Sequence, residues 1–205
     1  REALRTGVEA ALLELGQGFL SANPALRELL ASGDLTPQEY FNELLRLVYR
    51  MIFLLTVEER DILHPPDTPP EARALYAEGY GMRRLRERSL RRAQYDRHTD
   101  LWASLGPVFS ALGRPEGESA LGLPGLGGLF DPDQCPHLDR GTLENRSLLA
   151  AIFRLAWLRD GGALVRVNWK DMGPEELGSV YESLLELVPV VSDDGRRFSF
   201  AGADE

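Results

Sequence analysis

Thr36-Pro37-Gln38-Glu39 opens the segment that most limits how this chain folds. A threonine hydroxyl at the N-cap, a proline at the first helical position and a glutamate two residues later together satisfy the backbone donors that a helix start leaves bare. Downstream, Tyr40, Phe41, Leu44, Leu45, Leu47, Val48, Met51, Ile52, Leu54 and Leu55 cover more than half the circumference of the predicted helix. A helix apolar on most faces has to be surrounded by other elements. It closes near Leu63, because His64-Pro65-Pro66 disfavours the helical basin and supplies no donor.

The flanking segments supply what surrounds it. Leu4, Val8, Ala11, Leu12, Leu15 and Phe19 form one stripe of an amphipathic helix over residues 2 to 20, ended or kinked at Asn23-Pro24. Thr68-Pro69-Pro70-Glu71 repeats the start signal and predicts a second long helix through the arginine-rich stretch, with a break near residue 80 at Gly79 and Gly81. Asp100 to Leu112 reads as a helix with Leu101, Trp102, Leu105, Val108 and Phe109 inward and a bend at Pro107. Gly113 to Gly141 is too dense in glycine and proline for regular structure and is expected to be a long loop. Leu143 to Arg159 is a further helix, stopped by Gly161-Gly162.

The pattern then changes. Val165, Val167 and Trp169 alternate with Arg166 and Asn168, which predicts a half-buried strand over residues 163 to 169. Pro174-Glu175-Glu176 starts a helix ending at Pro189, and residues 188 to 191 pair with 197 to 200 across Asp193-Asp194-Gly195 as a hairpin. The expected fold is mainly α. A multi-helix domain occupies residues 1–160, with a sub-boundary near 64–70, and a small α+β tail occupies 161–205. With 205 residues and 43% apolar content the chain is long enough for one or two cores. It begins at Arg1 without methionine and ends at Ala-Asp-Glu, which leads to the expectation that it is a piece of a longer protein.

Charge narrows the function classes. A net charge of -9 argues against a surface wholly given to nucleic acid, yet residues 83 to 97 hold seven arginines against Glu87 and Asp96. Arg83, Arg84, Arg86, Arg88, Arg91 and Arg92 are therefore the candidates for contact with a DNA backbone, with 84, 88, 91 and 92 on one side if the segment is helical. The competing reading is a solvated helix face. No apolar run approaches the roughly 18 residues of a membrane span. Cys135, the single cysteine, excludes an internal disulfide and a cysteine-based zinc cluster, and a reducing cytoplasm is the expected compartment.

Catalytic patterns are few. A restriction-type nuclease site pairs an acidic residue with Glu-x-Lys to hold magnesium and steady a water, but Asn168 stands two residues before Lys170, the only lysine. The sole Asn-Pro, Asn23-Pro24, is followed by Ala25 and so lacks the base-holding Asn-Pro-Pro-aromatic element of adenine methyltransferases. Gly125, Gly127 and Gly128 follow no predicted strand, so a packed turn is expected there in place of a phosphate cradle. Asp131, Asp133, Cys135, His137 and Asp139 alternate as metal ligands sometimes do, but the interleaved prolines favour ordinary turn chemistry. His98 and Asp100 read as a hydrogen-bonded helix start. No catalytic, cofactor-binding or metal-binding residue is assigned.

Several segments together resemble one family: Arg46 to Leu63 (RLVYRMIFLLTVEERDIL), His98 to Trp102 (HTDLW), Leu121 to Phe130, and above all Asn168 to Leu187 (NWKDMGPEELGSVYESLLEL). These are similar to single-chain type II restriction-modification enzymes and phage-exclusion methylases. The resemblance covers residues 40 to 191. It implies a helical connector between a nuclease and an adenine-specific DNA methyltransferase, with the tail leading into the methyltransferase. S-adenosylmethionine, and Mg2+ where a nuclease is present, would then belong to the parent enzyme. Duplex DNA and the two missing catalytic domains in cis would be the partners. Tyr181, Leu184 and Leu185 are expected to pack on the absent methyltransferase sheet or on the connector, leaving some apolar surface exposed. The competing expectation is a stand-alone helical interaction module that binds a protein through the 113–141 loop.

Overall fold

The structure is a computed structural model that describes residues 2–202. Arg1 and residues 203–205, the ends on which the longer-protein expectation rests, lie outside them. The architecture is mainly helical with two small antiparallel sheets toward the carboxyl end. The helices are α1 (Glu2–Ala22), α2 (Pro24–Ser32), α3 (Pro37–Glu59), α4 (Pro70–Gly79), α5 (Met82–Arg88), α6 (Asp100–Gly113), α7 (Pro136–Arg140), α8 (Asn145–Ala156) and α9 (Pro174–Leu184). The strands are β1 (Trp157–Asp160), β2 (Ala163–Arg166), β3 (Pro189–Val191) and β4 (Phe198–Phe200). Among the described residues, no helix is long and apolar enough to cross a membrane.

The central helix forms as its start signal predicts. Glu39 N donates to Thr36 Oγ1 at 3.1 Å, and Thr36 N donates to Glu39 Oε1 at 3.0 Å, a bond that holds the Glu39 carboxyl below its usual range. Thirteen of the residues of α3 are buried, including Glu43 and Arg50. The helix closes at Glu59, four residues short of the expected Leu63, as Asp61 takes a left-handed conformation at φ 55° that aspartate tolerates.

Helices α1 and α8 pack along their lengths, and glycines set the distance between them. A Cβ on Gly7 would lie 2.7 Å from the Arg154 carbonyl oxygen, and one on Gly18 would lie 2.6 Å from Ser147 Cβ. The expected break near residue 80 separates α4 from α5 at Tyr80-Gly81.

The 113–141 segment is ordered. Arg50, fully buried, donates from Nε to Leu129 O at 2.8 Å, from Nη1 to Asp139 Oδ1 at 2.9 Å and from Nη2 to Asp131 O at 3.2 Å. Its guanidinium also lies 5.1 Å and 5.7 Å from the ring centres of Phe109 and Phe130. A buried cation left without these partners would cost several kcal/mol, so α3 dictates the path of the loop.

Three expectations for the tail are corrected. The helix predicted to Arg159 stops at Ala156, and Trp157–Asp160 turns back on Ala163–Arg166 as a hairpin. Gly161 and Gly162, with φ of 58° and 86°, are the two central residues of its tight turn and not a helix stop. The strand expected to be half-buried over 163–169 is exposed along all of β2, and only the residues after it, Val167 and Trp169, enter the core. The boundary expected between 160 and 161 falls inside this hairpin. Trp169, Val180, Leu184, Phe198 and Phe200 belong to the same hydrophobic core as α1 and α3.

The predicted hairpin of residues 188 to 200 is present, with Pro189 opposite Phe200 and Val191 opposite Phe198. Phe198 makes an edge-on contact with Tyr40 at 5.6 Å and Phe200 with Phe41 at 5.5 Å. Gly16 leaves the room for this, since a Cβ there would overlap the Phe198 ring. The Gln17 side chain clamps the hairpin by donating to Arg196 O at 2.8 Å and accepting from Phe198 N at 3.1 Å.

Candidate functional site

The arginine segment is organised by the end of α3. Glu58 and Glu59 occupy its last turn, where the helix dipole disfavours carboxylates unless they have partners elsewhere. Glu58 accepts from Met82 N at 2.9 Å, Arg83 N at 3.0 Å and Tyr76 Oη at 2.7 Å, so it caps α5 and ties α4 to it. Glu59 forms a buried ion pair with Arg86 at 2.8 Å and accepts from Lys170 N at 3.3 Å, while Arg60 Nε donates to Lys170 O at 2.8 Å.

The six arginines singled out by the sequence therefore divide. Arg86 is buried in its ion pair and offers no contact to an external phosphate. Arg84 is half-buried and donates from Nη2 to Ser104 Oγ at 2.9 Å, and burial together with nearby Arg88 lowers its pKa. Arg88, also half-buried, donates to Gln94 Oε1 at 2.7 Å. Arg83, Arg91 and Arg92 reach solvent. The one-sided arrangement of 84, 88, 91 and 92 does not form, because α5 ends at Arg88 and Arg92–Gln94 is a separate 3-10 turn.

A second cluster surrounds the element that carries the strongest resemblance. Trp169 is buried and its Nε1 donates to Leu155 O at 2.9 Å, while Asn168 and Asp171 close the turn before α9 through a 2.7 Å side-chain hydrogen bond. Of the three expected packing residues, Leu184 is buried in the core of this chain and Tyr181 meets Tyr49 of α3 edge-on at 5.4 Å. Burial raises the Tyr49 hydroxyl pKa, with Tyr181 adding to it. Leu185 is 52% exposed, with Val188 and Val190 exposed nearby in sequence.

The remaining sequence candidates are accounted for by internal bonds. Leu126 N and Gly127 N both donate to Leu112 O, so the glycine-rich turn is folded against the end of α6. Cys135 Sγ approaches Glu43 O at 3.5 Å, and burial pushes its thiol pKa up to about 12. His137 donates its backbone N–H to Glu43 Oε1 at 2.8 Å and its Nδ1 lies 2.6 Å from Oε2. Asp139 pairs with Arg50, although burial still raises its pKa. Among the described residues, no three histidine, cysteine or acidic side chains are grouped to hold a metal ion. Asp100 accepts from Asn145 Nδ2 at 2.9 Å, which holds its carboxyl below the usual range, and His98 is exposed.

Sequence reading missed Glu58, Glu59 and Asn145. The signal for the first two was present, as paired carboxylates in the last turn of a helix call for distant donors. Asn145, which accepts from Leu101 N at 3.1 Å and donates to Asp96 and Asp100, had none. No protein-family model, curated protein or solved structure matches this chain.

Proposed function

We propose that the chain is the helical connector of a single-chain DNA adenine methyltransferase with a linked restriction function. It is a non-catalytic cytoplasmic spacer that holds two catalytic modules at a fixed separation on duplex DNA. The observation that carries this reading is the anchoring of residues 168–187, the stretch most like that family. Trp169, Val180 and Leu184 enter the core, and Glu59 and Arg60 grip Lys170 from the end of α3. A module joined after such an element would move with the helical body, as a spacer requires. In this reading the methyltransferase supplies the site for S-adenosylmethionine and a nuclease supplies that for Mg2+. The exposed Leu185, Val188 and Val190 meet the methyltransferase.

Backbone contact with DNA falls to Arg83, Arg91 and Arg92, with Arg84 and Arg88 behind them. The test is fluorescence anisotropy with a duplex of about 20 base pairs over a salt series, where each phosphate contact contributes about 0.9 to the logarithmic salt slope. Replacing Arg83, Arg91 and Arg92 together by alanine is expected to weaken binding and flatten the slope. Absence of binding at low salt removes the DNA contact. Methyl transfer from S-adenosylmethionine to DNA by this chain alone would overturn the spacer assignment.

A further inference from the structure

The β1–β2 hairpin stands beside the 3-10 turn of residues 92–94, and the two border a cleft of about 600 Å³. Its walls carry Leu90 and Leu164, both substantially exposed, and Phe153 of α8. Arg92 and Arg159, 67 positions apart in the sequence, line the same cleft. Arg159 sits directly across the hairpin from Leu164, so both project from one face of the ribbon.

The polar groups of the cleft are unequally engaged. Tyr95 donates its hydroxyl to Ser89 O at 2.7 Å, and Ser89 Oγ donates to Arg86 O at 2.6 Å. Among the described residues, neither Arg92 nor Arg159 takes part in an ion pair. No carboxylate among the described residues lines the cleft. Among the described residues, strand β2 pairs with β1 alone, which leaves its outer edge free, and all four of its residues are exposed. A bare two-stranded ribbon with an open edge accepts a third strand, and the side chains of an added strand alternate between its faces.

We propose that this cleft receives an extended, acidic segment of a protein partner that lies along β2. One of its side chains, an aliphatic or aromatic group, fills the space between Leu90 and Leu164. A carboxylate two residues away meets Arg159, with Arg92 lining the same cleft. Duplex DNA suits the site less well, because phosphate would engage the guanidinium groups and leave two leucines without a role. This inference shares Arg92 with the connector reading, but it is carried by Arg159 and Leu164, which that reading does not use.

The test is selection of a random twelve-residue peptide library on the whole chain, followed by affinity measurement of the enriched peptides. The expected consensus is an apolar residue and an Asp or Glu spaced i, i+2. Affinity should fall at least tenfold in R159E and in L164S, two exposed positions whose circular dichroism should match the parent. A peptide carrying Lys in place of its acid should recover binding to R159E. Peptides without acidic residues, an i, i+3 or i, i+4 helical spacing, or affinities unmoved by these variants would overturn the proposal. So would a DNA duplex whose binding is lost in R159E and which competes with the selected peptides.

Discussion

The two hairpins of this chain are nearly equal in size and opposite in fate. Strands β3 and β4 bury Phe198 and Phe200 between α1 and α3 and are held at their turn end by Gln17. Strand β2 buries nothing, and the ribbon it forms with β1 keeps an open edge. A two-stranded sheet has little stability of its own in water, so the first hairpin persists through its packing and the second through its attachment to α8 and a glycine turn. The packed hairpin belongs to the rigid body. The exposed one presents surface.

Substitutions should separate them sharply. Phe198→Ala is expected to cost about 3–5 kcal/mol in a denaturant titration, since it empties a site lined by Tyr40, Phe200 and α1. A loss of under about 1 kcal/mol would mean that β3–β4 is only loosely attached. Gly16→Ala, which drives a methyl group into the Phe198 ring, should cost about 1–3 kcal/mol, and combined with Phe198→Ala the two penalties should add to less than their sum. Gly162→Ala strains a turn residue at φ 86° and should cost about 1–2 kcal/mol, read as lost hydrogen-exchange protection confined to residues 157–166. Leu164→Ser should change stability by less than about 0.5 kcal/mol.

The turn of the β3–β4 hairpin responds to acid. Hydrogen bonds from Ser192 Oγ and Arg196 N hold the Asp194 carboxyl below its usual value. Its contribution is thus complete above the unfolded carboxyl pKa near 3.8 and is lost as pH falls through the lower folded value. Asp194→Asn should flatten that part of the acid-stability curve. An unchanged curve would place the acid sensitivity elsewhere.

Where a signal was local, the sequence was legible. The capping box at Thr36 and Glu39, the break at Tyr80-Gly81 and the hairpin across Asp193-Asp194-Gly195 each depend on residues within a few positions of one another. The β1–β2 hairpin was hidden because Trp157 and Leu158 continue the apolar rhythm of α8, although four residues followed by Gly-Gly is itself a hairpin signal. The order of the 113–141 segment was hidden for another reason. It rests on Arg50, whose partners lie 79 to 89 positions away. Arg86 looked like one more surface arginine because Glu59, which buries it, lies 27 positions earlier. In the candidate site, residue types were legible but exposure was not.

Rigidity of the tail is what the proposed spacer role needs, and native-state hydrogen exchange measures it most directly. Amides of Val180–Leu184 and Phe198–Phe200 are expected to open with the same free energy as those at the centre of α3, in one global event, while β2 exchanges far sooner. Exchange of 180–200 through a separate opening several kcal/mol below that of α3 would contradict the account, because a tail that detaches on its own cannot fix the distance between two catalytic modules.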